Sequence, residues 1–137
     1  MNKPLALYIH WPFCRSKCPY CDFNSHVTDH ISHTRWREAY QRELAYFATE
    51  LPDYTITSIY FGGGTPSLME PDTISHVLDS VHQLWNVRPN VEVTLEANPT
   101  SVERSKFEAF KAAGINRLSL GVQALNNTDL QFLGREH

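Results

Sequence analysis

Cysteine is scarce in this sequence, with three in 137 residues, and none lies outside positions 14 to 21. An odd count gathered so tightly argues against a disulfide framework, which needs paired cysteines and an oxidising compartment. No apolar run approaches the roughly 18 residues that a membrane-spanning helix needs. The short apolar stretch from Leu5 to Ile9 is cut off by His10 and Pro12, so no signal peptide is expected and the reading is cytoplasmic. Positive charge is not in excess either. A net charge of −3 and a pI near 6.1 provide no field for a phosphate backbone, which excludes nucleic acid as an expected partner. Low-complexity tracts and linker-like shifts are missing too, so one continuous domain is expected, with 42% apolar residues to build its core. The last residues, Gly134 to His137, lack the composition of a tail, and the expectation is a chain that stops in mid-fold.

What is present is concentrated in Cys14-Arg15-Ser16-Lys17-Cys18-Pro19-Tyr20-Cys21. Cysteine thiolates hold cubanes of four irons and four sulfides, so a set of three leaves one iron without a protein ligand and open to another molecule. Two other readings use the same residues. A structural zinc needs four ligands, which His10 or His26 could complete, although neither belongs to a paired Cys-x-x-Cys spacing. Cys18-Pro19-Tyr20-Cys21 alone resembles a glutaredoxin-like dithiol, a reading in which Cys14 has no role.

The chain reads as four strand–helix units. Leu5 to Trp11 is short and β-prone and is closed by Pro12. Residues 22 to 33 are polar, and His26, His30 and His33 read as solvated loop histidines because no apolar period orders them. Trp36, Tyr40, Leu44, Phe47 and Leu51 recur at helical steps and predict a helix over 34–50, ended by Pro52. Ile56 to Phe61 predicts a buried strand that runs into Gly62-Gly63-Gly64-Thr65-Pro66. A helix follows, with Pro71 in its first turn and Ile74, Val77, Leu78, Val81 and Trp85 inward. Val91, Val93 and Leu95 alternate with polar residues in a third strand ending at Glu96. Thr100 and Glu103 form a capping box for a helix that buries Phe107 and Phe110 and stops at Gly114. Ile115 to Leu120 is the fourth strand, leading to Gln123, and a short helix is expected over 128–133.

Alternating strands and helices predict an α/β fold with a parallel sheet and right-handed crossovers, in which ligands gather at the carboxyl ends of the strands. The cysteines, the glycine run, Glu96 and Gln123 each follow a different predicted strand. Three successive glycines suit either close backbone approach to a ligand or a tight turn. No Lys-Ser/Thr follows them, so they form no P-loop.

Tyr8-Ile9-His10-Trp11-Pro12-Phe13 before the cysteines and Asp22-Phe23-Asn24 after them, with the Cys-x-x-x-Cys-x-x-Cys spacing between, closely resemble the signature of the radical S-adenosylmethionine (SAM) enzymes. Within that superfamily the chain is similar to HemW-type heme chaperones and oxygen-independent coproporphyrinogen III oxidases, along essentially all of its length. The resemblance implies a [4Fe-4S] cluster on Cys14, Cys18 and Cys21, with SAM chelated by the open iron. It implies that one electron from the reduced cluster cleaves SAM into methionine and a 5′-deoxyadenosyl radical, the protein positioning and shielding the cofactor. Gly63, Gly64 and Thr65 match the family's SAM-contacting loop, and Glu96 matches a contact to cluster-bound SAM. Gln123 and Arg135 match positions that bind a second SAM in the oxidase. Tyr8 and Tyr20 match further SAM contacts, against the alternative of ordinary packing.

Radical SAM domains resemble an incomplete barrel of about six units, against roughly 250 residues for a full eight-unit barrel. Residues 1–137 are therefore expected to be the N-terminal four βα units of a radical SAM core domain. The remaining strands and a C-terminal domain are missing, and the chain alone is expected to be inactive or poorly folded because its fourth strand has an open edge. The oxidase pattern has a further cysteine two residues after the third, where this chain has Phe23, which favours the heme chaperone. The alternatives are oxidative decarboxylation of coproporphyrinogen III to protoporphyrinogen IX, and a cluster-bearing protein that never turns SAM over. The implied partners are SAM, heme or a porphyrinogen, an electron donor and a membrane-bound heme acceptor, with the heme site outside these residues.

Overall fold

The computed structural model describes residues 2–14, 26–27, 31–98 and 105–121. Four strands, β1 (Lys3–Trp11), β4 (Tyr54–Gly63), β5 (Asn86–Ala97) and β6 (Arg117–Leu120), form a parallel sheet whose spatial order follows the chain. A second, two-stranded sheet pairs β2 (Phe13–Cys14) with β3 (His26–Val27) in parallel. The crossovers between the four strands carry α1 (His33–Glu50), α2 (Pro71–Leu84) and α3 (Phe107–Ala113). A doubly wound sheet reverses its strand order once. An unreversed order with right-handed crossovers puts every helix on one face, as in a section of barrel wall.

The sequence period sets which face each side chain takes. In β1, Leu5, Leu7, Ile9 and Trp11 point to the core while Tyr8 and His10 take the other side. In β4, Ile56, Ile59 and Phe61 are buried, and Val93 and Leu95 continue the layer in β5. Against them lie Tyr40 and Leu44 of α1, Ile74, Val77, Leu78 and Val81 of α2, and Phe110 of α3. Each fully buried aliphatic or aromatic side chain here contributes about 1.5–3 kcal/mol by leaving water. Pro71 opens α2 where its missing N–H costs nothing, and Gly114 ends α3 at φ +125°, a conformation that side chains resist.

Three details depart from the sequence reading. Phe47 is 44% exposed, paired edge-on with Tyr46, and the inward stripe of α1 continues instead through the small Ala48. His33 is not a loop histidine. It opens α1, stacks on Trp11 at 5.7 Å and places Nδ1 3.5 Å from Glu70 Oε1. The third strand begins at Asn86, well before Val91, because it passes through an irregularity: Val87 pairs with Ile56 and Glu92 with Ser58, and Asn90 between them takes φ 57°. Asn116 compensates, its Oδ1 accepting from Val93 N and its Nδ2 donating to Val91 O, both at 2.8 Å. Among the described residues no helix is long and apolar enough to cross a membrane. The predicted capping box at Thr100 and Glu103 and the helix over 128–133 lie outside the described residues.

Candidate functional site

The carboxyl ends of β1, β4 and β5 meet around the glycine run. Lateral register places Tyr8 beside Tyr60 and Tyr60 beside Thr94, with His10 beside Gly62 one step further along. Glu96 follows Thr94 on the same face of β5, opposite Ser119 of β6. This face carries no helix among the described residues, and Tyr8 stands 57% exposed on it. Ordinary core packing is therefore not what Tyr8 does.

Each of the three glycines is needed by what presses against it. A Cβ on Gly62 would collide with the Glu96 carboxylate, with Tyr8 at 2.7 Å and with Tyr60 at 2.9 Å. On Gly64 it would lie 2.5 Å from the Phe13 carbonyl oxygen and 2.8 Å from Cys14 Sγ. Gly63 takes φ +120°, and its N–H donates to Glu96 Oε1 at 3.3 Å. The same segment laces onto the start of the cysteine stretch, with Gly64 N donating to Trp11 O at 2.7 Å and Thr65 N to Phe13 O at 2.8 Å. Thr65 is buried, and the chain then turns through Pro66–Leu68 into α2. Side-chain-free backbone thus brings Cys14 and Glu96, 82 positions apart in sequence (96 − 14), to opposite ends of one short loop.

The polar groups on the open face form a connected set. The Tyr8 hydroxyl and His10 Nδ1 are 3.1 Å apart, and the Tyr8 and Tyr60 rings stack at 6.1 Å, crowding Gly62 together with the Glu96 carboxylate. From the helix side Tyr40 donates to His10 O at 2.6 Å, and burial holds its hydroxyl far above the usual tyrosine range. Burial also raises the Tyr8 hydroxyl, with Glu96 and then Tyr60 adding to it. For Glu96, burial pushes the carboxyl above its ordinary value, against the opposing pull of the Gly63 N–H, the Tyr60 hydroxyl and nearby His10. A carboxyl shifted upward by burial while specific groups pull against the shift is a mark of functional sites.

That shift has a sign. A carboxyl raised in the folded state favours folding while protonated, and the advantage disappears as pH rises from the ordinary carboxylate range through the raised value. Glu96→Gln is therefore expected to melt above the native protein at pH 7 and to lose that advantage near pH 4. Melting curves across this range check it, and a difference independent of pH would contradict it.

Beneath the loop, Trp11, Phe13, His33, Trp36 and Tyr40 form an aromatic cluster with neighbouring ring centroids 5.2–5.7 Å apart. Trp11 is wholly buried, and its Nε1 has no hydrogen-bond partner among the described residues.

Of the site residues expected from sequence, Tyr8, Cys14, Gly63, Gly64, Thr65 and Glu96 are described and come together at this end of the sheet. Cys18, Tyr20, Cys21, Gln123 and Arg135 lie outside the described residues. Among the described residues no three of His, Cys, Asp and Glu gather as a metal site. Tyr60 is the member of the set that sequence reasoning misses. Its parity with Gly62, two residues on, is the signal that places it on the open face.

Residues 8–137 match the model of the radical SAM superfamily. The chain is 45% identical over 136 residues to the mitochondrial radical S-adenosyl methionine domain-containing protein 1 of Bos taurus, covering 99% of this chain and 31% of that protein. It is 43% identical over 141 residues to the heme chaperone HemW of Haemophilus influenzae, and 39% over 135 residues to HemW of Escherichia coli. Those matches each cover 98% of this chain and 36% of the relative. The chain thus spans about a third of the length of these relatives. Among solved structures, the coproporphyrinogen III oxidase HemN of Escherichia coli, described as a radical SAM enzyme, superposes with a TM-score of 0.87 at 28% identity. That superposition covers 99% of this chain and 32% of HemN.

Proposed function

We propose that this chain, which belongs to the radical SAM superfamily, is the first part of the core domain of a HemW-type heme chaperone and works in the cytoplasm. The family implies a [4Fe-4S] cluster and SAM as cofactors. Cys14, Cys18 and Cys21 would hold the cluster, and Tyr8, Tyr20, the Gly63–Thr65 loop, Glu96, Gln123 and Arg135 would contact SAM. When bound, the reduced cluster supplies the electron that cleaves the SAM sulfonium.

The observation that carries this reading is the glycine loop. Its backbone lies against Cys14 Sγ at Gly64 and against the Glu96 carboxylate at Gly62 and Gly63, leaving no space for a Cβ at either end. A buried soft donor at one end and an ionisable oxygen donor set at the other suit an iron–sulfur cluster with a polar, amine-bearing ligand beside it. The chain's own residues then have distinct tasks. Cys14 offers a thiolate from a segment pinned by two backbone hydrogen bonds, while Glu96 offers its carboxylate to hydrogen-bond donors. The aromatic layer of Trp11, Phe13 and Trp36 keeps water from beneath the loop.

Phe23, where the oxidase pattern has a fourth cysteine, favours heme carriage over oxidation of a porphyrinogen. The relatives named heme chaperones are also nearer in identity than the oxidase, 43% and 39% against 28%. The structural likeness to HemN supports the second reading, oxidative decarboxylation of coproporphyrinogen III. A chaperone of this kind needs an electron donor and a heme acceptor at a membrane. The test is to give the full-length, cluster-reduced protein SAM with coproporphyrinogen III in the absence of oxygen, and separately to give it heme. Heme retained through gel filtration with no protoporphyrinogen IX formed is expected. Turnover to protoporphyrinogen IX without heme retention would favour the oxidase.

A further inference from the structure

We propose that Arg117 receives a propionate carboxylate of the tetrapyrrole that this site handles, and so selects free-acid ligands. The proposal rests on the functional reading above and deepens it by naming a contact to the ligand. Lateral register carries one row of side chains across the open face, from Tyr8 through Tyr60 and Thr94 to Arg117. At one end of the row the Tyr8 and Tyr60 rings stack 6.1 Å apart with their planes 18° from parallel, a flat apolar platform on the face that no described helix covers. At the other end, past the buried Thr94, stands a permanent cation. The strands of Tyr60 and Arg117 are two interstrand spacings apart, about 10 Å. That span is comparable with the reach from the centre of a tetrapyrrole ring to one of its propionates. Sheet order puts Arg117 on β6, at the edge opposite β1, so its charge lies on the far side of the sheet from the cysteine stretch.

The guanidinium is held but not consumed by its neighbours. Its contacts to Glu92 Oε1 at 3.5 Å and Thr94 Oγ1 at 3.4 Å are long, and both are made by Nη1. Both members of the Glu92 pair are more than half exposed, at 54% and 57%, where an ion pair is weak and a better-placed carboxylate displaces it. A guanidinium carries five N–H donors in a planar fork, and a carboxylate takes two of them side by side. Nη1 can therefore keep the side chain aimed by Thr94 while Nε and Nη2 take the ligand. The contact orients a propionate and supplies no ligand to iron, so it adds to a heme-binding segment outside these residues and does not replace one.

The experiment titrates heme and heme dimethyl ester, and coproporphyrin III and its tetramethyl ester, onto the full-length, cluster-reconstituted protein and onto Arg117→Gln and Arg117→Lys. The native protein is expected to prefer each acid to its ester by about tenfold, the worth of one charge-assisted contact. Arg117→Gln should lose that preference by binding the acids about tenfold more weakly and the esters as before, with iron content unchanged. Arg117→Lys, which keeps the charge without the fork, should retain part of it. The comparison of acid with ester in the native protein decides the question if the variants fail to fold. Equal affinity for acid and ester there, or a loss in Arg117→Gln that is the same for both, would overturn the carboxylate contact while leaving a heme-retaining protein as read above. Failure to retain heme, with coproporphyrin III bound through the same dependence on Arg117, would overturn the chaperone reading and uphold the contact. A protein that took up its cluster and bound neither tetrapyrrole would overturn both.

Discussion

Cys14→Ala is expected to reduce iron uptake on anaerobic reconstitution from about four irons per chain to background, while the protein stays folded. The fold survives because the change removes one small sulfur from a position whose backbone is held by its neighbours: Gly64 bonds to Trp11 O and Thr65 to Phe13 O. The cluster does not survive, because two remaining thiolates cannot complete the three-cysteine set. Iron and sulfide assays beside circular dichroism separate the two effects. A cluster that formed unchanged in the variant would remove Cys14 from the ligand set and return the chain to the Cys18–Cys21 dithiol reading.

The second large effect is on stability. Trp11→Ala is expected to cost about 3–5 kcal/mol, the usual range for emptying a buried large aromatic site, against a typical domain stability of about 5–15 kcal/mol. Trp11 is fully buried and touches Phe13, His33 and Trp36, rings supplied by a strand and a helix, so no single neighbour can move in to fill the gap. The loss also reaches the site, because the ring anchors the residue whose carbonyl receives Gly64 N. Urea unfolding measures the effect, and a cost below about 1 kcal/mol would mean that the cluster repacks freely.

Much of this was legible from periodicity. The two-residue alternation in β1 separates Ile9 and Trp11 from Tyr8 and His10, and the helical stripe of α2 from Ile74 to Val81 is buried as its spacing demands. What escapes sequence reading does so for local physical reasons. Arg88-Pro89-Asn90 has the composition of a turn, yet β5 passes through it because the Asn116 side chain supplies the hydrogen bonds that the strand irregularity would otherwise lose. Phe47 carries a strong apolar signal and Ala48 a weak one, but the packing follows position and not hydrophobicity. In the site, the residue types of Cys14 and Glu96 were readable, whereas the reason for three glycines was not. It lies in contacts with the Phe13 carbonyl, Cys14 Sγ, Tyr8, Tyr60 and Glu96 that only the fold brings together. Tyr60 was hidden within a run, Ile56 to Phe61, that reads as uniformly buried.

The central claim is that the loop joining Cys14 to Glu96 serves a three-cysteine cluster with SAM on its open iron, and Mössbauer spectroscopy of the reconstituted full-length protein tests it most directly. The account predicts a single [4Fe-4S] cluster in which one iron of the four changes its isomer shift when SAM is added. One zinc per chain with no iron uptake, or a cluster whose irons are all indifferent to SAM, would contradict it.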